Sequence, residues 1–326
     1  MNRNKIYFSL LMLILVIVIG GAVYEMLDAG KEEKPYTVSV IVEDSNNDRW
    51  IAMRQGLEQA AQDYNINLNF VFSGEFDDIE EEMELILREV RGGAEGLIIQ
   101  MISDDEGMEE LGEVEAQMAV MLIESDVEPQ GVYAVTGPDN MGIGMALGRE
   151  VMQEIGADSE QKRIGILCGN QKQIAMQQRL AGIEQVLAEK NTEISWVLQG
   201  NKADMIRELT VNNQEEPVDI IIALGNAETE LAVDYLIGRG EERKENCLLY
   251  GVGCSEKAVY YLDKGWIKSL VVPNEFNMGY LSMEEVARQL KYRLSRAENM
   301  EVDYLVIDQT NLYEEENQKI LFPIVQ

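Results

Sequence analysis

Histidine is absent from all 326 residues. That removes Ser-His-Asp and Cys-His catalysis and every histidine-ligated zinc or iron site. Cysteine is scarce: Cys168, Cys247 and Cys254 make an odd count with no C-x-x-C, which is not a disulfide framework. Cys168 and Cys254 each follow an apolar strand and read as buried thiols. Positive charge is also short, with 27 Lys and Arg against 59 Asp and Glu and a net charge of -32. Phosphate binding needs clustered cations, so a nucleic-acid partner is not expected, and the acidity reads as a solvated, self-repelling surface. The sequence holds no P-loop, no H-E-x-x-H and no paired-carboxylate motif. Gly142-x-Gly144 does not follow the first strand of a βαβ unit, as a dinucleotide fingerprint would. Asp44, Asn46 and Asp48 alternate as in a calcium loop, but Arg49 stands where the loop needs Gly and Gln55 where it needs Glu. The expectation is a protein that is not an enzyme, with no cofactor and no metal.

What is present is a globular composition, 46% apolar and 26% charged, in a chain long enough for two domains. Ile6–Tyr24 is an uncharged run preceded by Arg3 and Lys5. As a helix it would span about 28 Å, close to the hydrocarbon thickness of a bilayer. It predicts a retained N-terminal transmembrane anchor with the rest of the chain outside the cell membrane. A cleaved signal peptide ending at Gly20-Gly21-Ala22 is the competing reading. Glu25–Pro35 follows as a polar tether.

From Tyr36 the pattern is β–α alternation. Strands are predicted at Tyr36–Val42, Leu68–Phe72, Gly96–Gln100, Ala119–Ile123 and Val132–Val135. After Thr136–Val151 the plan repeats, with strands at Arg163–Cys168, Ile194–Leu198, Val218–Leu224, Leu248–Val252 and Ser269–Val272. Continuous apolar strands separated by amphipathic helices indicate α/β architecture, with parallel sheets covered on both faces. Asp48 is the expected cap of the first helix, and Val302–Asp308 and Ile320–Val325 read as late extended segments. Gly142, Gly144 and Gly148 punctuate the central helix and predict close packing, since each costs about 1 kcal/mol against Ala.

Ligands of open α/β sheets sit at the carboxyl ends of strands, and that rule selects the loops. After strand one, Asn47 and Arg49 offer hydrogen-bond donors and Trp50 an aromatic face, a set suited to a sugar's hydroxyls and C–H surface. Trp50 reads equally as the first core residue of its helix. After strands three and four come Gln100, then Glu124 and Ser125. A carboxylate there needs a partner, either a ligand or Arg49 in an internal ion pair. The second half offers Asn170, Gln177 and Arg179 beside its first strand and Asn226 after its third; Arg179 could equally be a structural cap contact.

Three stretches carry a resemblance. They are SNNDRWIAMRQGLEQAA from Ser45, DNMGIGMALG from Asp139, and KAVYYLDKGWIKSLVVPNEFNMGY from Lys257. In this order and spacing, residues 36 to about 297 resemble the type I periplasmic sugar-binding family of the ribose-binding kind. The resemblance implies the type I periplasmic binding protein fold: two Rossmann-like lobes with parallel sheets, joined by a three-crossing hinge, here preceded by the transmembrane helix. It divides the chain into 1–35 (anchor and tether), 36–138 plus 274–299 (lobe one) and 139–273 plus 300–326 (lobe two). The crossings fall near Asp139-Asn140, Pro273-Asn274 and Asn299–Glu301. Ligand contact carries over to Asn47, Arg49, Trp50, Gln100, Glu124, Ser125, Gln177 and Asn226. The chain departs from the family pattern where Arg49 replaces an aromatic, Glu124-Ser125 an Asp-Arg pair, and Gln177 an Arg. The lactose-repressor family shares the fold, but its DNA-binding helix-turn-helix is missing.

The function implied is an extracytoplasmic solute-binding protein that closes on a sugar-like small molecule and presents it to an ABC transporter permease. The alternative is a membrane-tethered sensor signalling to a kinase or other co-receptor. An extracellular hydrolase lacks a catalytic constellation.

Overall fold

The computed structural model describes residues 12–19, 34–76, 78–103, 105–128, 132–156, 162–188, 192–240, 246–292 and 298–322. Residues 12–19 are helical; the rest of the apolar run Ile6–Tyr24 lies outside the described residues. Among those described, no helix is long and apolar enough to cross a membrane. Residues 1–35 and 36–326 are separate compact units.

The apolar runs of the second unit form two six-stranded sheets. The first half of the chain supplies β1 (Tyr36–Ile41), β2 (Ile66–Phe70), β3 (Gly96–Ile99), β4 (Ala119–Ile123) and β5 (Ala134–Pro138). With β11 (Met300–Val302) they lie in the order β11-β5-β4-β3-β1-β2, all parallel. The second sheet holds β6 (Arg163–Gly169), β7 (Glu193–Gln199), β8 (Ile220–Ala223), β9 (Leu248–Val252), β10 (Ser269–Pro273) and β12 (Tyr304–Asp308). Its order is β12-β10-β9-β8-β6-β7, parallel except for β12 against β10. Every residue of β3, β4, β8 and β10 is buried, because helices cover both faces of each sheet. Four apolar clusters result. Those around Met53–Val286 and Ile86–Leu122 belong to lobe one, and those around Leu209–Leu270 and Ile143–Val271 to lobe two.

The chain passes between lobes three times. Strand β5 leads into α4 (Asn140–Ile155), which packs on α5 (Ile174–Leu187) of lobe two. Strand β10 leads into α9 (Glu275–Tyr292), which packs on α1 (Ile51–Tyr64) of lobe one. The extended reading of Val302–Asp308 resolves into two strands in different sheets, so the last passage lies at Asp303. Asp303, the one charged residue between Val302 and Ile307, is the single sequence mark of that change of partner. Ile320–Leu321, expected to be extended, instead ends the short helix α10 (Glu315–Leu321), which has a Glu315–Lys319 pair at 2.8 Å and stops two residues before Pro323.

Of the central glycines, Gly144 seats one backbone on another, while Gly142 and Gly148 lie against side chains. A Cβ on Gly144 of α4 would stand 2.0 Å from the Arg179 carbonyl oxygen, and one on Gly182 of α5 would stand 2.3 Å from that of Met141. Gly144→Ala should therefore destabilise by roughly 1–3 kcal/mol although it improves helix propensity. Gly92→Ala, at the end of α2 (Ile79–Gly92) with nothing within 4 Å of the added Cβ, should be neutral or gain up to about 1 kcal/mol. Urea unfolding of both variants checks this; equal effects would refute the close-approach account.

Candidate functional site

The carboxyl ends of both sheets meet at a seam between the lobes, and Glu124 is its centre. Glu124 follows β4, with φ +64, and is 7% exposed. Its carboxylate accepts from Arg49 Nη2 at 2.8 Å and from Arg179 Nη2 at 3.1 Å. Gln100 Nε2, after β3, donates to the same oxygen as Arg49. Arg179 is 1% exposed and spends its remaining nitrogens on Asn140 Oδ1 and the Leu224 carbonyl, both at 2.9 Å. Asn140 donates to the Glu124 carbonyl at 2.9 Å. One residue thus joins lobe one and lobe two through its carboxylate and the first crossing through its backbone carbonyl. Burial alone would push Glu124 up, but the two guanidiniums outweigh it and hold the carboxyl at about 2.

Further bonds cross the seam. Asn170 Nδ2 donates to the Ile102 carbonyl at 2.8 Å, Gln173 Nε2 to that of Met101 at 3.1 Å, and the Ala175 N–H to Ser125 Oγ at 3.1 Å. Lys172 and Glu106 form an exposed pair at 3.1 Å, which contributes little.

The residues expected to bind ligand have distinct settings. Arg49, Gln100 and Glu124 bond to one another, so the internal Arg49–Glu124 pair weighed from the sequence is present. Trp50 is 1% exposed in the lobe-one core and donates to the Glu43 carbonyl at 3.1 Å, while the Arg49 guanidinium lies over its ring at 4.0 Å. Asn47, not Asp48, is the cap: its Oδ1 accepts from Arg49 N at 3.0 Å, because Asp48 already lies inside the 3₁₀ turn that precedes α1. Ser125 faces the start of α5, as above. Asn226 opens α7 (Asn226–Gly238), and its Oδ1 accepts from Ser255 N at 3.2 Å. Gln177 is exposed and donates to the Gln171 carbonyl at 2.8 Å.

Asn140, Glu228 and Glu275 were not among the expected contacts, and Arg179 was weighed equally as a strand-end candidate and as a structural cap contact. Glu228, in the first turn of α7, and Glu275, the first residue of α9, are 7% and 8% exposed. Burial raises both carboxyls, Glu275 to about 7. Asn140 had a sequence signal in the crossing motif; a lone Glu after Pro273-Asn274 has none. Beside this network a cavity of about 250 Å³ is lined by Arg49, Ala52 and Gln55 from lobe one and Cys254, Glu256 and Phe322 from lobe two. Arg49 Nε and Gln55 Oε1 are buried without a hydrogen bond among the described residues. Burial and then Glu275 push the Cys254 thiol up to about 12, so it is no nucleophile. Among the described residues no group of three or more His, Cys, Asp or Glu could hold a metal ion.

Two doubly wound lobes with polar strand-end residues facing each other across a seam define a two-lobed binding protein. Residues 38–293 match the family model for the periplasmic binding protein domain, so the chain belongs to that family. No curated protein matches it. Among solved structures it is similar to a carbohydrate transporter solute-binding protein from Agrobacterium radiobacter in complex with D-arabinose, with a TM-score of 0.79, 15% identity, and 88% of this chain and 99% of that one covered. GanP, a glucose-galactose binding protein from Geobacillus stearothermophilus, gives a TM-score of 0.75 at 19% identity, covering 86% and 100%. An ABC transporter solute-binding protein from Actinobacillus succinogenes with bound D-allose gives 0.73 at 17%, covering 85% and 98%. At these identities the likeness is one of fold.

Proposed function

We propose that this protein is an extracytoplasmic solute-binding protein that closes on a sugar-like small molecule and presents it to an ABC transporter. The observation that carries the reading is the seam itself: hydrogen-bonding side chains from the carboxyl ends of both sheets converge where doubly wound folds take ligands. The sugars held by neighbours of the same fold point to the same ligand class. The apolar run Ile6–Tyr24 would hold the domain at the outer face of the cell membrane. A mature chain beginning near Val23 by mass measurement would refute that anchor.

A thermal-shift screen of the full-length protein against pentoses and hexoses tests the binding reading. A ligand at 100 times its Kd should stabilise by about 2.7 kcal/mol. Asn226→Ala should then weaken the identified ligand by roughly 1–3 kcal/mol; it also orphans the buried Ser255 N–H at a similar cost in stability, so affinity is read under conditions where the variant is folded. Unchanged affinity would remove Asn226 from the site, and a screen with no stabilising sugar would count against the sugar class.

A further inference from the structure

Two guanidiniums and three carboxylates meet at the seam, which leaves one negative charge in excess when all are ionised. Glu124 takes both guanidiniums. Glu228 accepts its own backbone N–H in the first turn of α7, where the helix dipole favours an anion. Glu275 also opens a helix, α9, but there burial outweighs the dipole and raises its carboxyl. It is nine-tenths buried, its Oε2 makes no hydrogen bond, and it joins no ion pair among the described residues. The groups acting on it are Arg49 before α1, Glu124 after β4 and Arg179 on α5, and it acts in turn on Cys254 after β9. Arg49 and Cys254 also line the cavity, where Arg49 Nε and Gln55 Oε1 are unpaired. Glu275 does not itself line the cavity, but the start of α9 abuts it: a Cβ on Gly56, next to Gln55, would stand 2.0 Å from the carbonyl oxygen of Phe276, next to Glu275.

We propose that this cleft selects a small polyhydroxylated ligand bearing a protonated amine, its ammonium held by Glu275 and its hydroxyls by Arg49 and Gln55. The proposal rests on the solute-binding reading above. A buried carboxylate without a partner is costly, and a charge-assisted bond to an ammonium is about twice as strong as a neutral one. The ammonium also cancels the excess charge. Burial holds Glu275 at about 7 in the free protein, so it carries a proton part of the time near neutrality. Binding an ammonium requires the carboxylate, and the displaced proton passes to the buffer. Affinity for the amine should therefore fall as pH is lowered below about 7, near tenfold per unit.

Calorimetry on the full-length protein would compare D-glucosamine, D-galactosamine and D-mannosamine with D-glucose, D-galactose and D-mannose. The best hexosamine should bind at least about tenfold more tightly than its parent sugar, one charge-assisted contact's worth. At about pH 6 its binding enthalpy should vary with the ionisation enthalpy of the buffer, reporting the released proton, while the parent sugar shows no such variation. Glu275→Gln should bring the ratio of the two affinities close to one. If that variant does not fold, the buffer dependence of the unaltered protein still decides. Parent sugars that bind as well as the hexosamines would overturn the amine proposal and leave the solute-binding reading standing. No binding by either set would overturn the amine proposal, while the wider pentose and hexose screen decides the solute-binding reading. Preferred hexosamines with no proton release would overturn the role of Glu275.

Discussion

Glu124→Ala should destabilise the protein by roughly 3–5 kcal/mol in urea unfolding at neutral pH, the range for breaking a buried ion pair from one side. The substitution removes the only carboxylate bonded to Arg179 among the described residues; Arg179 is 1% exposed, and its guanidinium is left charged in the interior. It also strips a partner from Arg49 and from Gln100. The pH dependence has a definite sign. The Glu124 carboxyl titrates at about 2 when folded against an ordinary 4.5, so its contribution is complete above about pH 4.5 and is lost as pH falls toward 2. Integrated over that window it amounts to about 3 kcal/mol. The unaltered protein should lose this stability on acidification, and Glu124→Ala should lose correspondingly less. A variant as stable as the parent at neutral pH would show that the network contributes nothing. Arg179→Met, which removes the stranded cation, should be milder when combined with Glu124→Ala than either change alone suggests, because the two residues share one interaction.

Glu82→Gln should act in the opposite direction. Glu82 on α2 is wholly buried; its Oε2 accepts from Ile102 N at 3.1 Å and its Oε1 has no partner. Burial lifts its carboxyl from 4.5 to about 8. A group raised on folding favours the folded state below its unfolded value and loses that contribution as pH rises, here between about 4.5 and 8. Near pH 7 the residue costs the folded state about 3 kcal/mol, so the neutral amide should stabilise by roughly 2–3 kcal/mol there and by almost nothing near pH 4. Gln retains an acceptor for Ile102 N, whereas Glu82→Leu would orphan it and should gain less. The position matters for the seam, because the Ile102 carbonyl is the acceptor for Asn170 of lobe two. A stability difference independent of pH would rule out this account.

These two glutamates show where reading the sequence stops. Glu124 stood out at the end of the fully apolar strand Ala119–Ile123, where a charge demands a partner, and Arg49 was one candidate. Glu82 lies in Glu80-Glu81-Glu82, a run that looks like a solvated helix face. Whether one Glu of three turns inward depends on helix rotation against β3 and its loop, which no local pattern states. The same holds for Glu275 and Arg179, whose neighbours come from distant parts of the chain.

The sequence by itself determined the α/β class, the two runs of alternating elements and the loops at which a ligand would be sought. Those follow from local chemistry: apolar runs of strand length, helical periodicity, and caps such as Asp139, which accepts from Gly142 N at 2.8 Å. The tertiary structure decided which lobe each late strand joins, sending Met300–Val302 and Tyr304–Asp308 to different sheets. It also decided that Arg49, Gln100 and Arg179 converge on one carboxylate while Glu275 is left with an unpaired oxygen. Partnership between buried charges is set by distance and desolvation in the folded chain, and residues 49, 124, 179 and 275 have no local signal that would bring them together.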